Sequence, residues 1–176
     1  MKITSTKFEN IKIIKINDFF DFRGILKKFY DKKDKKIKFD IHEAYSTISK
    51  KGSVRGLHGQ YGKHSQAKII YCIKGTIIYL GIDLRKKSKT YTKIFKKRIN
   101  AKNSEAIMIP KGFAHGLISL QNETIVLNLN SSFYKPEYEF GINIRSLNLK
   151  LPQIELKITN KDSKLPSLNN FLNKKK

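Results

Sequence analysis

Four histidines stand in this 176-residue chain, and His58 and His64 share one short stretch, Ser53–Lys68, which reads SVRGLHGQYGKHSQAK. The stretch also carries Arg55, Gln60 and Lys68, and it runs directly into the apolar residues Ile69–Ile73. A third histidine, His115, sits in the glycine-flanked PKGFAHG of residues 110–116. One chemistry for such a set is metal ligation, which in β-sandwich metal sites uses closely spaced histidines, a carboxylate and a distant histidine. Here the position two after His58 is Gln60, and no Asp or Glu follows in the segment, so the metal pattern is weak. The other chemistry is proton transfer. Glycines around His58 let a ligand approach the backbone, and Lys161-Asp162 offers a carboxylate that can orient an imidazole and raise its basicity. A turn histidine with a purely structural place fits the same spacing.

Composition bounds the setting. A chain of this length reads as one domain, 1–176, with the lysine-rich residues 170–176 expected to form a disordered tail. No apolar run has the length of a membrane span, and MKITSTKFEN lacks a signal-peptide core. The single cysteine, Cys72, lies in an apolar run, as expected of a small buried hydrophobe in a cytoplasmic protein. The net charge of +23 suggests an anionic partner. Yet the charge is mostly lysine spread over every segment, while groove-reading proteins favour arginine for its bidentate fork. With isoleucine and asparagine also abundant, the charge reads as compositional bias, and neither a nucleic-acid nor a membrane partner is expected.

The elements that must position these residues are short β-type runs between Gly, Pro and Asn/Ser/Lys clusters. Strands are expected at Ile11–Ile16, Ile25–Tyr30, Ile41–Ile48, Lys68–Lys74, Thr76–Asp83 and Tyr91–Arg98. Further ones are expected at Ala106–Ile109, Leu117–Leu120, Thr124–Leu129 and Gln153–Ile158. Gly75 alone separates two of them, which suggests a tight hairpin. Many short strands without a long amphipathic helix indicate an all-β sandwich or jelly roll with short peripheral helices. Alternation puts Lys68 on one face with Ile70 and Cys72, and Asn128 on one face with Thr124 and Val126. Lys68 then either snorkels to water or faces a cleft.

Several motifs, in order along nearly the whole chain, resemble the dTDP-4-dehydrorhamnose 3,5-epimerase family. They are DFRG at Asp21–Gly24, SVRGLHGQ at Ser53–Gln60, SQAK at Ser65–Lys68 and IKGTIIYLGIDLRKKSKTY at Ile73–Tyr91. IPKGFAHGL at Ile109–Leu117, FYKPEYE at Phe133–Glu139 and NKDSKLPSL at Asn160–Leu168 complete the set. The resemblance implies a cupin-type jelly roll, usually dimeric and without metal or cofactor, acting on nucleotide-linked 4-keto-6-deoxy sugars. It implies His58 as the base, Asp162 as its orienting partner and Lys68 as the charge beside the enolate oxygen. Arg55, Gln60, His115 and Lys161 are expected around the sugar, Arg23 at the diphosphate, and Phe133 against the substrate.

Departures from the family pattern carry expectations of their own. Asn128 stands where the family has a tyrosine acid, and a carboxamide cannot donate a proton on a useful timescale. This suggests inversion at C3 alone, with water or a tyrosine such as Tyr134 or Tyr79 returning the proton. Glu43 and Tyr45 replace the glutamine and asparagine that contact thymine, and Lys28 replaces a glutamate. A carboxylate accepts two adjacent N–H groups of guanine, so a GDP-linked 6-deoxy-4-keto-heptose for surface polysaccharide synthesis is the expected substrate. The alternatives are a full 3,5-epimerase, a 3,4-ketoisomerase, and a non-catalytic sugar-nucleotide or polyanion-binding protein.

Overall fold

A computed structural model describes residues 1–174. Strands β1 (Lys2–Ser5), β2 (Lys12–Lys15), β3 (Asp18–Asp21), β4 (Gly24–Lys27) and β5 (Glu43–Ser49) come first. The histidine-bearing stretch forms β6 (Val54–Gln60), followed by β7 (Lys68–Lys74), β8 (Thr76–Asp83) and β9 (Ile94–Asn100). Next come β10 (Glu105–Ile109), β11 (Phe113–Ser119), β12 (Thr124–Asn130) and β13 (Glu139–Gly141). Two short helices, α1 (Asn160–Ser163) and α2 (Leu168–Asn173), close the described chain.

The strands build the expected all-β jelly roll. A six-stranded sheet in the order β1-β2-β10-β7-β12-β5 faces a five-stranded sheet in the order β13-β6-β11-β8-β9. Strands β3 and β4 form a separate hairpin. Between the sheets Ile70, Cys72, Ile107 and Val126 meet Ile77, Tyr79, Ile99 and Leu117. Each fully buried side chain of this kind stabilises the sandwich by about 1.5–3 kcal/mol. The outer faces are covered as well. Ile69, Tyr71 and Leu129 pack beneath Ile37 and Phe39, while Leu57, Leu80 and Ile118 pack beneath Ile142, Ile144 and Phe171. The alternation expected for Lys68–Lys74 therefore holds, with Ile70 and Cys72 facing inward.

Three expectations are corrected. Gly75 does not make a hairpin, since β7 and β8 lie in different sheets and the chain crosses between them there. One residue is too short for a hairpin loop. The φ of +86° at Gly75 turns the chain out of the first sheet. Residues 153–158 form no strand: Lys157 makes a single parallel bridge to Ser53, while Ile154, Leu156 and Ile158 pack on the outer apolar layer. Strand β6 already has β13 and β11 on its two sides, so little edge remains to pair. Finally, the tail expected from residue 170 is helical through Asn173, because Phe171 is buried in the outer layer; residues 175–176 lie outside the described residues.

Candidate active site

The RGLH motif is explained by a β-bulge. Strands β6 and β11 pair His58 with His115 and Arg55 with Leu117, leaving Gly56 and Leu57 opposite Gly116 alone. The extra residue reverses the alternation, so Arg55 and His58 both line the cleft while Leu57 enters the outer core. Gly56 has φ +108°, and a Cβ there would lie 2.6 Å from the His115 carbonyl oxygen. A side chain is excluded on both counts.

His58 is then joined to a residue 104 positions away. Its Nε2 lies 2.7 Å from Asp162 Oδ1, and Asp162 is 5% exposed. The C-terminal segment is brought there by the backbone: Val54 N–H donates to the Lys157 carbonyl, and Lys157 N–H to that of Gly52. Thr159 caps α1, its hydroxyl accepting from Asp162 N–H at 3.1 Å. In a capping box the third helical residue would turn back to its own helix, whereas Asp162 reaches His58 instead. With Nε2–H donating to the carboxylate, the lone pair of the neutral imidazole lies on Nδ1. Glu139 Oε1 stands 3.7 Å from Nδ1, and Glu139 is itself bonded to Lys161.

The opposite wall comes from the six-stranded sheet. Register places three rows on its inner face: Glu43–Asn130–Lys68, Tyr45–Asn128–Ile70 and Thr47–Val126–Cys72. Lys68 thus faces the cleft, and the snorkelling alternative is set aside. Burial pushes the Lys68 ammonium down to about 8, against the carboxylates of Glu43 and Glu139, which pull it up. Between the walls lies a cleft of about 630 Å³, an ordinary size for a small-molecule site.

His115 shares the cleft with His58. Burial holds its pKa well below the usual range, and the charges of Lys68 and His58 add to the effect. Its Nδ1 is 2.9 Å from the hydroxyl of Tyr79, whose own pKa burial raises. The tyrosine therefore donates, and the neutral imidazole keeps a proton on Nε2 to offer a ligand.

The cleft gathers His58, Asp162, Lys68, Asn128, Arg55, His115 and Lys161 from the residues expected around the substrate. Arg55 is oriented by Ser49 Oγ at 3.0 Å and the Ile48 carbonyl at 3.3 Å. Gln60 is absent from the main cleft but lines the adjoining pocket with His58, Lys68 and His115. Its amide donates to the carbonyls of His64 and Phe133, and its oxygen accepts from Lys135 N–H, so it ties the surrounding loops together. Phe133 stands outside this cleft, edge-on to His42 with ring centroids 5.7 Å apart. Arg23 is also remote, paired with Asp21 at 2.7 Å on the exposed β3–β4 hairpin. Glu43 accepts from Asn130 Nδ2 at 2.7 Å. His64 stacks on Tyr138 with centroids 4.1 Å apart, and no group of three His, Cys, Asp or Glu gathers as metal ligands among the described residues.

Sequence reasoning missed Glu139 and Thr47, and it placed Tyr45 at the nucleotide base and not beside Asn128. The alternation of Glu43, Tyr45 and Thr47 along one strand was the available signal for Thr47. For Glu139 no local signal existed, since its proximity to His58 comes from the pairing of β13 with β6.

Comparisons with known proteins identify the family. The sequence profile of dTDP-4-dehydrorhamnose 3,5-epimerase matches residues 5–170. The enzyme of that name from Salmonella typhimurium is 29% identical over 181 residues, spanning 98% of each chain. A crystal structure of the Bacillus anthracis enzyme with TDP and PPi bound is 30% identical with a TM-score of 0.88, covering 95% of this chain and 99% of that one. A 3'-monoepimerase from Streptomyces bikiniensis in complex with dTDP-quinovose shares the fold, with TM-score 0.89 at 21% identity over 97% of this chain and 89% of that one. The chain belongs to the dTDP-4-dehydrorhamnose 3,5-epimerase family, and it is an isomerase of the epimerase class.

Proposed function

We propose that the protein inverts C3 of a nucleoside diphosphate-linked 4-keto-6-deoxy sugar through an enolate. The observation that carries this reading is the His58–Asp162 pair, 2.7 Å apart with its carboxylate buried, at the cleft that also holds Lys68. The C4 ketone acidifies the C3–H bond, and His58 Nδ1 takes that proton. The electron pair moves onto O4, where the Lys68 ammonium and the His115 N–H stabilise the negative charge in a water-poor site. Asp162 holds the imidazole tautomer and balances the imidazolium that forms. Return of a proton to the other face of C3 completes the inversion. Solvent deuterium uptake followed by NMR tests the reading. Exchange at C3 alone is expected, exchange at C3 and C5 would replace it by a 3,5-epimerase, and exchange at neither carbon would remove it.

The nucleotide is read as thymine-linked. A carboxylate recognises guanine with both oxygens, but Asn130 holds one oxygen of Glu43, and Glu43 acts on the half-buried Lys68. The related Bacillus anthracis structure holds TDP. Binding of dTDP and GDP compared by calorimetry decides, and tighter GDP binding would restore a GDP-linked heptose as substrate. A cytoplasmic place is in keeping with the buried free thiol of Cys72.

A homodimer accounts for Arg23. Its hairpin exposes Phe19, Phe20, Phe22, Ile25 and Leu26, each more than half accessible, and lies away from the cleft of its own chain. A second copy would cover this apolar surface and receive Arg23 at its diphosphate. Mixing Arg23→Ala chains with His58→Ala chains should then regenerate one working site in each mixed dimer, whereas no recovery would place Arg23 in its own chain's function.

A further inference from the structure

The proposed inversion, on which this inference rests, needs a proton donor on the ring face opposite His58. We propose that Tyr45 is that general acid, displaced by one strand from the position that Asn128 occupies. The pairing of β5 with β12 sets Tyr45 directly across from Asn128, so both side chains share the inner face of the six-stranded sheet. Directly opposed side chains begin about 5 Å apart, which puts the phenol beside the carboxamide that replaces the family's tyrosine. Tyr45 and His58 line the same cleft from facing sheets. Facing sheets stand about 10 Å apart, enough for a sugar ring held between base and acid.

The two phenols suggested by sequence are less well placed. Tyr79 also lines the cleft, but its hydroxyl is bonded to His115 and the residue is 1% exposed, so a lost proton would have to return through the His115 imidazole. Tyr134 does not line the main cleft; it borders the adjoining pocket, which Glu139, His58, Lys68 and Tyr45 also line, and it acts electrostatically on Lys161, on the side of the base. Tyr45 is 40% exposed, so it reaches both the cleft and solvent. Its surroundings keep the phenol protonated between turnovers. Burial and the Glu43 carboxylate raise its pKa, while the Asn130 side chain and the Arg55 charge act the other way. Protons balance in each turnover: His58 gains one from C3, Tyr45 loses one to C3, and both return to their starting states by exchange with water.

The experiment compares wild type with Tyr45→Phe on a 4-keto nucleotide sugar in D₂O, reading deuterium at C3 and the configuration of C3 separately. The variant is expected to lose inversion by about 10²-fold or more while deuterium still enters C3 with retention within a few-fold of the wild-type rate, because His58 is untouched. Retained exchange also shows that the variant is folded. Wild-type inversion by Tyr45→Phe would overturn the assignment and leave the epimerase reading standing. Loss of exchange and inversion together would overturn it in favour of a binding role. Loss of inversion by Tyr134→Phe, with inversion kept by Tyr45→Phe, would transfer the acid to Tyr134. An inactive wild type would instead sink the function itself.

Discussion

The two walls of the cleft are built by different means. The five-stranded wall reaches its chemistry through an irregularity, the bulge at Gly56-Leu57, and through a contact between residues 104 positions apart. The six-stranded wall presents Glu43, Tyr45, Lys68 and Asn128 by plain alternation, in the part of the sheet where register is unbroken, beyond the shift between Ile125 and Val126. The matches that the resemblance implies at His58, Asp162, Arg55 and His115 belong to the first wall, and the departures it implies at Glu43, Tyr45 and Asn128 to the second. A bulged motif with a buried partner tolerates few changes, because each residue meets several constraints. A regular strand can exchange one inward side chain for another without moving the backbone.

Breaking the first wall should have the largest effects. His58→Ala should lower deuterium uptake at C3 by about 10²–10⁴-fold, measured by NMR on a variant with an unchanged circular dichroism spectrum; full activity would refute the base assignment. Gly56→Ala should destabilise the fold by about 3 kcal/mol or more in urea unfolding, since its Cβ meets the His115 carbonyl oxygen at 2.6 Å in a positive-φ conformation.

The second wall should respond more gently, through electrostatics. Lys68 must carry its charge to stabilise the enolate, so exchange should fall as pH rises through about 8. In Lys68→Arg the guanidinium stays charged over that range, and the alkaline fall should disappear if the arginine reaches the oxygen. An unchanged profile would show that another group titrates there. Glu43→Gln is the smallest change. Removing the carboxylate that raises the Lys68 pKa should move the alkaline fall to lower pH, with little loss of rate below it. If Glu43 instead reads the nucleotide base, the same variant should weaken nucleotide binding and leave the pH profile in place.

The strands around the core were legible from apolar alternation, and Lys68 was placed by it correctly. The strand that carries His58 was not predicted, because GLHG interrupts both apolar alternation and β-propensity at the bulge. Gly75 was misread because two strands joined by one glycine look alike in sequence whether they pair or part into different sheets. Gln60 was legible as a motif residue, but its bonds to His64, Phe133 and Lys135 depend on loops that meet only in the fold.

By itself the sequence determined the jelly-roll class, the inward face of β7 and the family resemblance, because these rest on local period and ordered motifs. Tertiary structure alone decided that Asp162 touches His58, that Glu139 joins them, and that Tyr45 lies beside Asn128. These contacts depend on bulge phase, sheet register and chain crossing. Those are set by how the whole chain packs, and no stretch of residues encodes them locally.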